Sequence, residues 1–88
     1  MYYVYLIVSN TPERRRYVGF SSNLRQRLSD HNEGKLSSTA KHRPWHLVTY
    51  LGFSSKRQAL AFESYLKSGS GHAFTKRRLW LVDYSDPL

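Results

Sequence analysis

The stretch "YVGFSSNLRQRLSDH", residues 17–31, decides the fold because it changes from a strand pattern to a helix pattern within a few residues. It begins with aromatic and β-branched residues, which favour strands, and then supplies serine and asparagine side chains that can cap a helix. Leu24 and Leu28 lie four residues apart, about one helical turn. The sequence therefore predicts a strand over residues 16–20 and a helix over about residues 23–33.

Strand patterns also lie on both sides of this stretch. Residues 2–8, "YYVYLIV", share the aromatic and β-branched character of residues 16–20, and the intervening "SNTPERR" contains turn residues. These two segments predict an antiparallel hairpin. The run "HLVTYLGF", residues 46–53, follows Pro44 and predicts a third strand.

Two further helices are predicted in the second half of the chain. One follows a serine pair and carries apolar residues at helical spacing: Ala59, Phe62 and Leu66. The "GSG" of residues 69–71 is expected to end it, and the tail "HAFTKRRLWLV", residues 72–82, to form one more short helix. The order β-β-α-β-α-α predicts a small α/β (α+β) layer structure, a single domain over residues 1–88.

The composition is that of a globular protein with one modest core. Apolar residues make up 40% of the 88 residues and aromatic residues 15%. The absence of cysteine excludes disulfides and thiolate metal sites. The opening residues carry no basic leader and are too few to span a bilayer, so we expect no membrane association and a cytoplasmic location.

The chain is strongly basic. Fourteen Lys and Arg against six Asp and Glu give a formal charge of +8, which predicts a polyanionic partner such as nucleic acid. The alternative is a solvated basic surface that only maintains solubility. The basic residues expected to contact nucleic acid come from two loops, the first predicted helix and the tail: Arg15, Arg16, Arg25, Lys35, Lys41, Arg43, Lys76 and Arg77.

The first predicted helix has two polar residues beside its apolar stripe. Helical spacing places Arg27 and His31 at the border of the stripe that contains Leu24 and Leu28, whereas Arg25 turns toward solvent. Arg27 could simply lay its methylenes on the core and raise its charge to water. His31 could be a histidine favoured by the dipole near a helix C-terminus. Both are also candidates for a functional site.

The second predicted helix places a carboxylate among apolar residues. Glu63 falls inside the stripe formed by Ala59, Phe62 and Leu66. A carboxylate removed from water without a partner costs several kcal/mol, so it must meet an arginine, hydrogen-bond donors or a metal ion. A structural ion pair is the alternative to a functional role, and we expect it to bring Glu63 toward Arg27.

Two tyrosines on neighbouring strands are the remaining candidates. Strand alternation places Tyr3 and Tyr5 on one face of the first strand, and Tyr17 with Gly19 on one face of the second. The two phenols could face the same helix, or they could be stacked core tyrosines. Gly19 is expected to clear space beside Tyr17 where a ligand can approach.

Taken together, these motifs resemble the GIY-YIG nuclease superfamily. The ordered set is "YVY" at residues 3–5, "YVG" at residues 17–19, Arg27, His31 and Glu63 within "ALAFESYLK". It covers residues 2 to about 80, and it is most similar to short bacterial stand-alone members and to the catalytic domain of Slx-type structure-specific endonucleases, through "YVGFSSNLRQRLSDHN", "RPWHLV" and "GFSSKRQALAFE".

The resemblance implies a three-stranded antiparallel sheet flanked by helices and the hydrolysis of DNA phosphodiesters with one Mg²⁺ or Mn²⁺. By position, Glu63 would hold the ion, Arg27 would bind the phosphate under attack, and Tyr5, Tyr17 and His31 would surround the attacking water. A phenol, with an ordinary pKa near 10, is a poor base at pH 7 unless cations or a histidine lower that pKa. We expect the arginine, the histidine and the metal ion to do so.

The sequence departs from the family motifs at two points, and two other functions remain as alternatives. The glycine of the first family motif is Tyr3 here, and a late polar residue of some members has no counterpart in "FTKRRLW". So small a domain has little surface for base readout, so we expect recognition of DNA backbone and shape, branched or nicked DNA included, with a protein partner supplying specificity. A monomer or weak dimer is expected. The rivals are a catalytically weak nucleic-acid-binding module and a protein-interaction domain.

Overall fold

The computed structural model describes residues 1–80 as a sheet and three α-helices. The elements are β1 (Tyr2–Ser9), β2 (Arg16–Ser21), α1 (Leu24–Asn32), a short 3₁₀ turn (Ala40–His42), β3 (Trp45–Phe53), α2 (Lys56–Leu66) and α3 (Gly69–Arg78). The predicted order β-β-α-β-α-α and the predicted α+β class are confirmed. No helix within the described range is long and apolar enough to cross a membrane.

The sheet has the order β2-β1-β3 with both pairs antiparallel, so the predicted three-stranded antiparallel sheet is confirmed. β1 is the central strand, and its residues from Val4 to Ser9 are all buried. The register between β1 and β2 sets Tyr5 opposite Gly19 and Ile7 opposite Tyr17. β2 is therefore an edge strand that carries Tyr17 along one border of the sheet.

Alternation along β1 divides the core between the two faces of the sheet. Val4 and Leu6 pack on one face with Ala59 and Leu66 of α2. Tyr5 and Ile7 point to the other face and pack with Trp45, where Leu24 and Leu28 of α1 join them. Because successive strand residues point to opposite faces, α1 and α2 cover opposite sides of the sheet.

Side-chain caps define where each helix begins. Asn23 accepts a hydrogen bond from the Gln26 amide at the start of α1, and Ser55 does the same for α2. These caps satisfy backbone amides that have no partner inside the helix.

The prediction that the "GSG" of residues 69–71 ends the second helix is wrong. α2 ends at Leu66, and Ser68 caps α3 by accepting from the amide of Gly71. A side chain at Gly71 would collide with the backbone of the preceding helix, so the glycine serves the close approach of α2 and α3. Residues 81–82 of the predicted tail helix lie outside the described residues.

The segment between α1 and β3 is tied to both of them through Trp45. The Trp45 amide donates to the Asn32 side-chain oxygen (2.6 Å), and the Asn32 amide group donates back to the Trp45 carbonyl (3.2 Å). The indole Nε1 of the buried Trp45 donates to the Thr39 carbonyl at 2.9 Å. These bonds fix the loop against α1 at the level of its last turn.

Candidate active site

Tyr5 and His31 form the buried part of the candidate site. The Tyr5 side chain is 1% exposed and His31 is 0% exposed, so neither has solvent on its surface. The Tyr5 hydroxyl lies 2.7 Å from His31 Nε2, and the Thr39 hydroxyl lies 2.7 Å from His31 Nδ1. Both ring nitrogens of the histidine are therefore occupied by protein groups.

Burial sets the protonation of both residues. It raises the pKa of the Tyr5 phenol above its ordinary value, and the neighbouring Tyr17 adds to the rise. Arg27 opposes that shift, but burial outweighs it, so Arg27 by itself does not lower the pKa of the Tyr5 phenol below its ordinary value. Burial, with the nearby Arg27 charge, also lowers the pKa of His31 against the weaker pull of Asp30. His31 is therefore neutral at pH 7.

Tyr17 is the accessible phenol of the pair. Its ring centroid lies 5.2 Å from that of His31, edge to face, and 6.4 Å from that of Tyr5. Tyr17 is half-buried, and its hydroxyl makes no hydrogen bond with any residue in the described range. No buried side-chain oxygen in that range lacks a partner, so the Tyr17 hydroxyl is open to water.

Gly19 serves Tyr5 and not a ligand. A side chain at Gly19 would collide with the hydroxyl end of the Tyr5 ring, which lies over the glycine on the adjacent strand. The expectation that Gly19 clears a ligand space beside Tyr17 is therefore wrong. The space is filled by the Tyr5 phenol, and this packing carries that phenol to His31.

Arg27 occupies the position that its helical spacing predicts. It is half-buried, whereas Arg25 on the same helix is exposed, and His31 is fully buried one turn further on. Its charge acts on both Tyr5 and His31, so the guanidinium lies beside them. Among the described residues Arg27 has no carboxylate within ion-pair distance. The Arg27 guanidinium has no acidic partner there and lies next to the buried hydrogen bonds of His31, so it is suited to bind an anionic ligand.

Glu63 approaches the same centre from the other side of the sheet. Its charge raises the pKa of Tyr5, which places the carboxylate within electrostatic reach of that phenol. Its side chain is 20% exposed, and its ion-pair partner is Lys67 at 3.3 Å. The ion pair that stood as the alternative to a functional role therefore exists, but its partner is Lys67 and not Arg27. One region is nevertheless surrounded by Arg27, Tyr5, Tyr17 and Glu63, although the helices that carry Arg27 and Glu63 lie on opposite faces of the sheet.

Sequence reasoning missed two residues of this centre. Lys67 lies 3.3 Å from Glu63 and places its ammonium 5.9 Å from the centroid of the Tyr17 ring. The Glu-to-Lys spacing of four in "ESYLK" was the available signal, because such pairs meet on one helix face. Thr39, the partner of His31, lies in a loop without periodicity, and no local pattern identifies it.

The donor set suits a hard divalent cation with few protein ligands. No cluster of three or more His, Cys, Asp or Glu occurs in the part of the chain that the structure describes. Glu63 alone, with waters and substrate oxygens, matches Mg²⁺, which keeps much of its hydration shell and takes one or two carboxylates in phosphate chemistry. Its oxygens are partly exposed, so the ion could reach them once Lys67 moves aside.

A cleft opens beside Tyr17, between β2, α2 and α3. We call it the β2–α3 cleft, and its basic and aromatic lining includes Arg16, Tyr17, Lys67, His72, Lys76 and Trp80. The Arg16 guanidinium lies 5.2 Å from the centroid of the Trp80 ring. Positive charge and aromatic surface thus border the accessible phenol.

The eight basic residues expected to contact nucleic acid are all exposed but spread over several surfaces. Arg16 and Lys76 line the β2–α3 cleft. Arg25 borders a separate groove with Tyr50 of β3. Lys35 lies within ion-pair distance of two acidic side chains, at 3.9 and 3.6 Å. The others stand on the β1–β2 loop, the segment before β3 and α3: Arg15, Lys41, Arg43 and Arg77.

Comparison with known proteins first assigns the chain to a class of catalytic domain. A family model described as the GIY-YIG catalytic domain matches residues 1–77. The chain therefore belongs to the GIY-YIG family, and the resemblance drawn from its motifs is confirmed.

Curated relatives fall into two groups. A structure-specific endonuclease subunit SLX1 homolog of Giardia intestinalis is 37% identical over 65 residues, covering 67% of this chain and 18% of that protein. Its Drosophila mojavensis counterpart is 38% identical, with 70% and 23% covered. A UPF0213 protein of Streptococcus pneumoniae is 34% identical over 64 residues, with 72% and 65% covered. The chain thus spans less than two thirds of the length of each of these three relatives. The family and the SLX1 names support a nuclease.

Proposed function

We propose that this chain is an endonuclease that hydrolyses DNA phosphodiester bonds with the help of a divalent metal ion, choosing its substrate by backbone and shape. The observation that carries the proposal is the convergence of Arg27, Glu63 and the phenols of Tyr5 and Tyr17 from four separate elements onto one region beside a basic cleft. Core packing alone does not require charged groups of both signs at this point.

Arg27 is proposed to bind the phosphate under attack. Hydrolysis concentrates negative charge on the phosphoryl oxygens, and a fixed guanidinium stabilises that charge more in the transition state than in the ground state. Arginine is suited to this because its planar fork can donate two parallel hydrogen bonds to a phosphate. Arg27 has no acidic partner in the described range, so no ion pair must break first.

Tyr17 is proposed to contact the attacking water. Its hydroxyl is open to solvent, whereas the Tyr5 hydroxyl and the His31 imidazole ring are buried inside the protein. The water is therefore oriented by Tyr17, and the Tyr5–His31 pair supports the site from behind. The resemblance placed Tyr5, Tyr17 and His31 equally around the attacking water, whereas this proposal assigns the contact with the water to Tyr17.

Glu63 is proposed to hold Mg²⁺ or Mn²⁺. When bound, such an ion would supply a second positive centre for the phosphate oxygens. The Lys67 ammonium must leave the carboxylate for this to happen, and the Tyr17 ring, whose centroid already lies 5.9 Å from it, can continue to attract it. Glu63 is partly exposed, so breaking its ion pair costs at most about 1 kcal/mol.

The β2–α3 cleft is proposed to hold the DNA strand. Arg16, Lys67 and Lys76 can neutralise phosphates, and Trp80 offers a surface on which a base can stack. The SLX1 relatives are named as subunits, which supports a protein partner as the source of the finer substrate choice.

The test is cleavage of branched, nicked and linear DNA by the purified chain with Mg²⁺, Mn²⁺ or EDTA. Metal-dependent cleavage that is lost in Glu63→Gln and Arg27→Ala supports the proposal. Glu13→Gln, which alters an exposed loop acid, should cleave like the parent. Cleavage that persists in both site variants would come from a contaminating nuclease. That result would contradict the proposal that this chain cleaves DNA.

A second candidate is a binding module of the same fold with negligible turnover. The observation that favours it is the ion pair that occupies Glu63. Under this alternative the chain binds DNA with an affinity that falls as salt increases but cleaves nothing with either metal. Absence of both binding and cleavage would favour a protein-interaction domain.

A further inference from the structure

His31 is the middle member of a hydrogen-bond chain, and the contacts of Thr39 at one end indicate the direction of that chain. The chain runs from the Tyr5 hydroxyl through His31 to the Thr39 hydroxyl, with both contacts at 2.7 Å. The Thr39 hydroxyl also lies 3.4 Å from the Leu36 carbonyl and donates to it. A hydroxyl has one proton, so the Thr39 oxygen is left as an acceptor toward the histidine.

The acceptor at Thr39 fixes which nitrogen of His31 carries the proton. Nδ1 must then carry hydrogen and donate to Thr39, and Nε2 is left with a lone pair. That lone pair accepts the proton of the Tyr5 hydroxyl. The Tyr5 oxygen consequently turns its own lone pairs away from His31, and the group beside it is the Arg27 guanidinium.

We propose that Thr39 is a positioning residue for the site: by holding His31 in the Nδ1–H tautomer, it makes the Tyr5 oxygen an acceptor that orients Arg27. The catalytic role of this hydrogen-bond chain rests on the proposed function, in which Arg27 binds the phosphate. The hydrogen-bond order itself does not depend on that function.

The opposite tautomer would disrupt the arrangement. With hydrogen on Nε2, His31 would donate to the Tyr5 oxygen, and the Tyr5 proton would have to point at another neighbour. The neighbour on that side is Arg27, which has only donors. Two donors would then face each other in a buried place, where an unmet hydrogen bond is costly.

Thr39 is itself placed by groups that do not belong to the site. It is 1% exposed, and its carbonyl accepts from the indole of Trp45, which is clamped to Asn32 by two hydrogen bonds. The Thr39 backbone is therefore fixed independently of its hydroxyl. A change confined to the hydroxyl can be made without releasing the loop.

The experiment compares Thr39→Val, which keeps the shape and removes the hydroxyl, with Thr39→Ser, which keeps the hydroxyl. Nitrogen-15 NMR of labelled histidine reports the tautomer of each ring without substrate or metal. We expect His31 to be in the Nδ1–H form in the parent and in Thr39→Ser, and to lose that form in Thr39→Val. The cleavage rate should fall on the order of tenfold in Thr39→Val, since one buried hydrogen bond is lost, and should recover in Thr39→Ser.

Thermal unfolding and Trp45 fluorescence establish that each variant is folded. An Nε2–H tautomer of His31 in the folded parent, or an unchanged Nδ1–H tautomer in folded Thr39→Val, would overturn the proposal. A parent protein that cleaves no DNA but shows the expected tautomers would defeat the nuclease proposal and still support the order of the hydrogen-bond chain.

Discussion

The Glu63 carboxylate and the Lys67 ammonium form an ion pair at 3.3 Å on one face of α2. The lysine therefore stands where, under the proposed function, a metal ion would bind. A divalent ion and this ammonium compete for the same oxygens, and the competition can be measured without any DNA.

Replacing Lys67 with methionine should tighten Mn²⁺ binding by about 1.4- to fivefold, the range set by the roughly 0.2–1 kcal/mol of an exposed ion pair. Electron paramagnetic resonance of free Mn²⁺ measures the affinity. Lys56→Met, at the start of the same helix, should leave it unchanged. Equal Mn²⁺ affinity in parent and Lys67→Met would show that Glu63 does not hold the metal.

The two phenols should respond differently to loss of their hydroxyls. Tyr17→Phe removes an exposed hydroxyl with no described partner, so we expect the fold to be unaffected and the cleavage rate to fall by a factor of about 10² or more. Tyr5→Phe leaves His31 Nε2 without its buried donor and should lower the free energy of unfolding by about 1–3 kcal/mol. Urea unfolding and cleavage rates separate the two effects. A destabilised Tyr17→Phe would contradict the assignment.

Gly19→Ala should displace Tyr5. The added methyl group collides with the hydroxyl end of the Tyr5 ring, which is fixed by His31, so we expect a loss of about 1–3 kcal/mol from overpacking. Gly69→Ala is the matched control, because nothing lies within 4 Å of a side chain there. Urea unfolding of the two variants measures the difference, and equal stabilities would contradict the packing of Tyr5 over the glycine.

The stability of the protein should depend on pH through His31. Its pKa is lowered in the folded state below the ordinary 6.5, so the unfolded chain binds the extra proton first as the pH falls. The stabilisation is therefore complete above about pH 6.5 and is lost as the pH decreases through the folded pKa. Urea unfolding between pH 7.5 and about 4.5 measures the slope. His46→Gln, on an exposed position of β3, should keep it.

DNA binding through the β2–α3 cleft should show in its salt dependence. In a Glu63→Gln background, Arg16→Gln or Lys76→Gln should each reduce the slope of log affinity against log salt by about 1. Lys35→Gln should change it less, because Lys35 already lies beside acidic side chains. Fluorescence anisotropy at several salt concentrations measures the slopes. A larger effect at Lys35 would place the DNA elsewhere.

The sheet and helices were predictable because their signals are local. Alternation along β1 and the four-residue spacing of Leu24 and Leu28 indicate which side chains turn inward. The same spacing correctly placed Arg27 beside the core and Arg25 in solvent.

The errors arose where tertiary contacts decide. The "GSG" of residues 69–71 predicts a helix stop, but Gly71 serves a close contact between two helices. Helical spacing gave the direction of Glu63 without identifying its partner, which is Lys67 on its own helix. Thr39 could not be found, because its contact with His31 depends on a loop fixed by Trp45.

The placement of α1 and α2 on opposite faces of the sheet has a consequence for assembly. Arg27 and Glu63 both come within electrostatic reach of Tyr5 only after both outer layers have docked on the sheet, so a chain with one layer detached has only half of these charged groups in place. Under the proposed function, cleavage would then report completed folding, and a partly folded chain would carry basic surface without the means to cut DNA.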